Sequence, residues 1–222
     1  MKDEKKKISF ADLILIDLCW ILFSLPVVTA GISSIAAIYV LNKKFDGKEC
    51  SIWNSFTKTF KTTWKQGLVL WFVTLIIAFF AYLVFNYFKN DFAPSTILML
   101  LSILAFIVFT GVIVLSFPMA AHYENNAAFH LRNSLLLSFR FAKKVIVLDV
   151  VFAILCVILT VSFLNKKILL VPEILILPLV FFYIQSSVSR KLFATIDKEN
   201  AEALAKQQAQ NEEAQESDDS NE

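Results

Sequence analysis

The 222-residue chain contains only 4 glycines, 5 prolines and 3 cysteines. It has no G-x-G-x-x-G and no G-x-x-x-x-G-K-[ST], so a glycine-cradled phosphate or dinucleotide site is excluded. H-E-x-x-H and G-x-S-x-G are missing as well. Cys19, Cys50 and Cys156 stand alone and odd in number, without a C-x-x-C pair, which argues against a zinc site and a disulfide framework. No enzyme is expected, and no catalytic, cofactor-binding or metal-ligating residue. His122, Glu124 and His130 form the one cluster resembling metal ligands, and it reads as polar residues at the end of an apolar segment.

Charge is scarce too. Charged residues make up 18% of the chain, against about 25% in soluble domains. In their place stand 57% hydrophobic residues, 22 of them phenylalanine, with a mean hydropathy of +0.64. A globule of this size cannot hide so much apolar surface, so the composition points to an integral membrane protein. The net charge of +2 hides a split: residues 197–222 carry −7 and the rest carries +9. The basic residues flank apolar runs and form no continuous stripe, so anionic lipid head groups fit them better than nucleic acid does.

A helix crosses a 30 Å hydrocarbon core with roughly 20 apolar residues. Residues 66–88 and 92–121 meet this requirement directly. Residues 145–165 meet it around Asp149, and 168–189 around Glu173. A fifth segment, 12–41, would be about 45 Å long as one helix. Pro26, the β-branched Val27, Val28 and Thr29, and then Gly31 predict a break near 25–31. A cleaved signal peptide, one kinked span and a re-entrant pair of half-helices compete here. Asp12 and Asp17 argue against the first. If 12–41 crosses once, the two sides of the membrane carry 7 and 14 Lys and Arg; if it returns, they carry 3 and 18. Cytoplasmic loops concentrate Lys and Arg, so the returning hairpin is favoured, with both termini cytoplasmic.

The expected fold is therefore all-α: a polytopic membrane protein of the cell membrane, with four transmembrane helices plus an N-terminal broken, re-entrant helical hairpin. It forms one membrane domain over 1–196, followed by an acidic, largely disordered tail over 197–222.

Two groups of residues stand out as candidate sites. Asp17, Asp149 and Glu173 interrupt apolar runs, and intramembrane carboxylates are costly unless paired or hydrated. With Pro26, Thr29 and Gly31 at the break they make a candidate polar or structural membrane site. The second group lies on a helix expected over 51–66. Trp53, Phe56, Phe60 and Trp64 recur at steps of 3, 4 and 4, with Lys58, Lys61 and Lys65 well over 100° away. That is the pattern of an interfacial lipid-contacting helix, and equally of one docked on the protein's own spans; the two are compatible.

The stretch Ala11–Tyr39, with Asp12, Trp20, Ser24-Leu25-Pro26-Val27-Val28-Thr29-Ala30-Gly31, Ala37 and Tyr39, resembles the YesL family of bacterial membrane proteins. The resemblance continues through Phe56, Phe60 and Trp64-Lys65-Gln66, and resumes at Pro118, Tyr123 and Asn133–Arg140. Asp17 departs from it, standing before the tryptophan region where the family is expected to have Asn, which suggests a polar contact more than a proton carrier. The resemblance implies a domain of unknown function associated with carbohydrate uptake and degradation, and it supplies no catalytic residues. The reading is an accessory or assembly partner in carbohydrate uptake, in contact with the lipid bilayer and with a sugar transporter complex or a second copy. The alternative is a small transporter or lipid-handling protein using Asp17 and the Pro26–Gly31 break.

Overall fold

The computed structural model describes residues 8–90, 96–164 and 170–219; within these ranges the side chains of 90, 159, 163, 164, 170–175 and 211–219 lie outside the description. Among the described residues the chain is helical, without strands. The elements are α1 (Phe10–Ser24), a 3-10 turn (Val27–Thr29), α2 (Ala30–Phe45), α3 (Ile52–Thr62), α4 (Trp64–Asn90), α5 (Thr96–His122), α6 (Ala127–Arg140), α7 (Ala142–Leu164) and α8 (Leu170–Asp219). The chain divides into two compact units, Met1–Ser186 and Ser187–Glu222.

Among the described residues, three helices are long and apolar enough to cross a membrane: Trp64–Lys89, Thr96–His122 and Ala142–Ser162. Their bounds agree with the first three expected spans to within a few residues. At most 22% of the apolar window of any of them is buried inside the protein, and large side chains such as Phe79, Phe85, Leu100 and Val157 are exposed. Apolar faces of this extent suit lipid. The fourth expected span, 168–189, falls on α8, and its first residues lie outside the described ones.

The break in the first segment is where the sequence places it. Helix α1 ends at Ser24, Pro26 opens the 3-10 turn, and α2 starts at Ala30. The Thr29 hydroxyl stands 2.6 Å from the Phe23 carbonyl in the last turn of α1 and 2.7 Å from the Pro26 carbonyl, which also accepts the Thr29 N–H at 2.8 Å. The chain then doubles back. Trp20 Nε1 donates to Ser34 Oγ at 3.1 Å, and Lys44 Nζ lies 3.2 Å from Asp12 Oδ2, tying the open ends of the two helices together. The segment is an antiparallel helical hairpin and not one kinked helix. Its turn exposes Leu25, Val27 and Val28.

Helix α2 is the core of the first unit. It packs against α1, α3, α4 and α5. Ile35, Ala36, Ala37, Ile38 and Val40 are fully buried on it. Lipid removes the hydrophobic drive that joins helices in water, so association there depends on close packing and hydrogen bonds. Small residues supply the first. A Cβ on Gly67 of α4 would stand 2.7 Å from the Ile32 Cα, and one on Gly31 would stand 2.7 Å from the Gly67 carbonyl oxygen. Gly111 of α5 meets Val145 of α7 in the same way, at 2.6 Å. The fourth glycine, Gly47, has φ of +71° in the turn after α2 and nothing near its missing side chain.

One expected helix boundary needs correction. The interfacial helix expected over 51–66 ends at Thr62, and Trp64 and Lys65 begin α4. The threonines are the cause: Thr62 Oγ1, Thr63 Oγ1 and the Thr63 N–H all converge on the Thr59 carbonyl, a side-chain competition that loosens helices. The 122–144 stretch carries α6, capped by Asn126 Oδ1 accepting from the Phe129 N–H at 2.8 Å.

In the second unit, helix runs on to Asp219 through the tail expected from composition to be largely disordered; residues 220–222 lie outside the described ones. Ala, Glu, Gln and Lys are strong helix formers, and continuation of an existing helix avoids the nucleation cost. A Lys198–Glu202 pair at 3.8 Å sits on the exposed surface.

Candidate functional site

The intramembrane carboxylates are the first place to look for chemistry, and the structure keeps them apart. Asp17 is buried on α1 beside Ile16 and Cys19, with its Oδ1 lacking a hydrogen-bond partner. Asp149 sits on α7 against α5, its Oδ2 3.4 Å from where a Cβ of Gly111 would stand. Thr110 faces Asp149, its hydroxyl also standing 2.9 and 3.1 Å from the Phe106 and Ile107 carbonyls. Helix α1 packs on α2 and α3, while α7 packs on α5 and α6. The two carboxylates therefore occupy separate interfaces. The Glu173 side chain lies outside the described residues. Pro26, Thr29 and Gly31 form the hairpin turn and the α2–α4 crossing already described.

The aromatic stripe divides between two tasks. Phe23 of α1 is gripped by Trp53, Phe56 and Phe60, with ring centroids 5.6, 5.2 and 5.0 Å away. Phe56 is fully buried, so α3 docks on the hairpin through this cluster. Trp53 and Trp64 remain about half exposed, and Lys58, Lys61 and Lys65 are exposed.

Between α3, the start of α4 and the α5–α6 connection lies a cleft of about 1010 Å³. One wall carries Lys58, Trp64 and Lys65; the opposite wall carries His122, Glu124 and Asn126, with Tyr39 also lining the cleft. Its frame is held by one carbonyl. Asn125 O accepts from Gln66 Nε2 of α4 and from His130 Nε2 of α6, the latter at 3.2 Å. Sequence reading sets His122, Glu124 and His130 aside as polar residues at a helix end. Their spacing does not show that Gln66, nearly 60 positions earlier, shares their hydrogen-bond network.

His130 is fully buried, and its Nδ1 has no hydrogen-bond partner. Burial lowers its pKa from the ordinary 6.5, partly opposed by the bond to the Asn125 carbonyl. Protonation would place a second N–H where nothing accepts it. The neutral form is the folded form, so its contribution is complete above about pH 6.5 and is lost as pH falls below that toward the folded pKa. Thermal unfolding of the detergent-solubilised protein should show a lower midpoint at pH 5 than at pH 7.5. His130→Gln should flatten this dependence; an unchanged profile would contradict the assignment.

These geometries frame a comparison with known proteins. Residues 13–85 match the family model "Protein of unknown function, DUF624". YesL proteins belong to that family, so the resemblance read from the sequence holds over this stretch. The DUF624 match spans the hairpin, α3 and most of α4, and so covers the cleft wall with Lys58, Trp64 and Lys65 and leaves out the wall with His122 and Glu124. Neither curated proteins nor solved structures gave a match.

Proposed function

We propose that the chain is a cell-membrane protein in which α4, α5, α7 and the first part of α8 cross the bilayer. The α1–α2 hairpin enters and returns, and both termini are cytoplasmic. The hairpin helices have 15 and 16 residues, about 22–24 Å each, short of a 30 Å core. The Asp12–Lys44 ion pair and the division of Lys and Arg, 18 to 3, support the same arrangement. A reporter fused after Lys44 should lie on the same side of the membrane as the N-terminus; opposite sides would refute the returning hairpin.

Within that arrangement the protein acts as an accessory or assembly partner, in carbohydrate uptake. The separation of Asp17 from Asp149 carries this reading: a solute path would need polar groups along one route, and these two sit in different helix interfaces. The carbohydrate context rests on the YesL resemblance. Purification from native membranes after mild cross-linking should recover a sugar transporter complex with the chain. Recovery of the chain alone, combined with solute flux in liposomes, would replace the accessory reading with the transporter one.

A further inference from the structure

The cleft beside α4 has features that neither the accessory role nor helix packing uses. Lys58 and Lys65 stand on one wall, and among the described residues neither forms an ion pair. Glu124 is the acidic residue of the lining. The cleft is also two-sided in polarity along α4. Lys65 and Gln66 come first, and Val69, on the same wall, leads into the apolar span that begins at Trp64. Ala120 and Ala121 face it from the end of α5. A cationic mouth continuous with an apolar wall at the start of a membrane-crossing helix matches an amphiphile with an anionic head.

Several nearby groups cannot serve such a ligand, which narrows the donors. Thr59, Thr62 and Thr63 give their hydroxyl protons to backbone carbonyls, and Gln66 Nε2 is committed to Asn125. Lys58 and Lys65 are the charged donors on the wall, and Lys65 Nζ is held 5.6 Å from the centre of the Trp64 ring. Lys61 lies on the same helix as Lys58 but does not line the cleft.

We propose that this cleft binds a phosphate-bearing anion through Lys58 and Lys65, and the apolar wall favours a phospholipid head group over a soluble phosphate ester. The site uses α4 as a membrane-crossing helix but does not depend on the accessory role, so loss of the transporter association leaves it standing.

Lys61 makes the test decisive, because a diffuse attraction to charged membranes would use all three lysines alike. The full chain is reconstituted into nanodiscs of phosphatidylcholine with graded phosphatidylglycerol, and bound phosphatidylglycerol is counted by native mass spectrometry. At roughly fivefold per lysine, Lys58→Gln with Lys65→Gln should weaken occupancy about 25-fold. Lys61→Gln should change it by less than about twofold, and Glu124→Gln should tighten it. A parallel titration of glycerol 1-phosphate into phosphatidylcholine-only nanodiscs identifies the source. Saturable, Lys58- and Lys65-dependent binding there assigns the phosphate site to a soluble ester. Equal losses for Lys61→Gln and the cleft variants, or no lysine-dependent binding in either titration, would overturn the proposal.

Discussion

Replacing Gly67 by alanine should cost the folded protein about 3 kcal/mol, the upper end of the range for overpacking, because the added methyl meets backbone that cannot rotate away. Its Cβ would lie 2.7 Å from the Ile32 Cα and 3.0 Å from the Ile32 nitrogen. Alanine would otherwise favour a helix by about 1 kcal/mol over glycine, so any loss reports the crossing and not helix propensity. A penalty of this size is a large part of total stability, typically 5–15 kcal/mol. Fluorescence-detected size-exclusion chromatography should show most of the protein aggregated or degraded. Gly47→Ala, where the cost comes only from positive φ, should lose about 1 kcal/mol and remain monodisperse. If Gly67→Ala behaves like Gly47→Ala, α2 and α4 do not approach as closely as described.

The second large effect concerns a carbonyl left without a donor. Pro118 lies inside α5 and has no N–H to give to Val114, four residues earlier. Gln185 of α8 supplies the replacement: its Nε2 donates to Val114 O at 2.6 Å, buried in the bundle. No water reaches such a site in the hydrocarbon region to take over. Gln185→Leu should therefore cost roughly 1–3 kcal/mol by stranding that carbonyl. The decisive variant is the double one. Pro118→Ala restores an N–H for Val114, so Gln185→Leu should become nearly neutral in that background, with a coupling of about 1–3 kcal/mol. Thermal unfolding of the four proteins measures it, and strictly additive losses would refute the substitution of one donor for another.

These two contacts show where sequence reading reaches its limit. The three long apolar helices were legible because lipid demands uninterrupted apolar runs, and the break in the first segment because Pro26 stops a helix. Pro118 is visible as a proline in an apolar run, but nothing in the pattern says that a side chain 67 positions later meets its orphaned carbonyl. The close approach of Gly31 and Gly67 is hidden for the same reason, since helix pairing is not encoded in the periodicity of either helix. Asp17 and Asp149 were recognisable as costly groups, yet their separate placement depends on tertiary contacts. On α3, Trp53, Phe56 and Phe60 of the aromatic stripe meet Phe23 of α1. The cleft escapes sequence reading because its walls come from positions 58–69 and 120–127 and meet only in the fold.

The α1–α2 hairpin is the frame on which α3 and α4 pack, and the proximity of its two open ends tests it. With Cys19, Cys50 and Cys156 replaced by serine, Asp12→Cys and Lys44→Cys put thiols on the two residues whose side chains now meet in an ion pair of 3.2 Å, so the two backbones lie no farther apart than one lysine and one aspartate side chain reach. A hairpin predicts near-complete cross-linking within the monomer by a short bis-maleimide reagent in native membranes, because such a linker spans the reach of the ion-paired side chains it replaces. A single kinked span would hold the two positions about 48 Å apart and form no intramolecular cross-link, which would contradict the account.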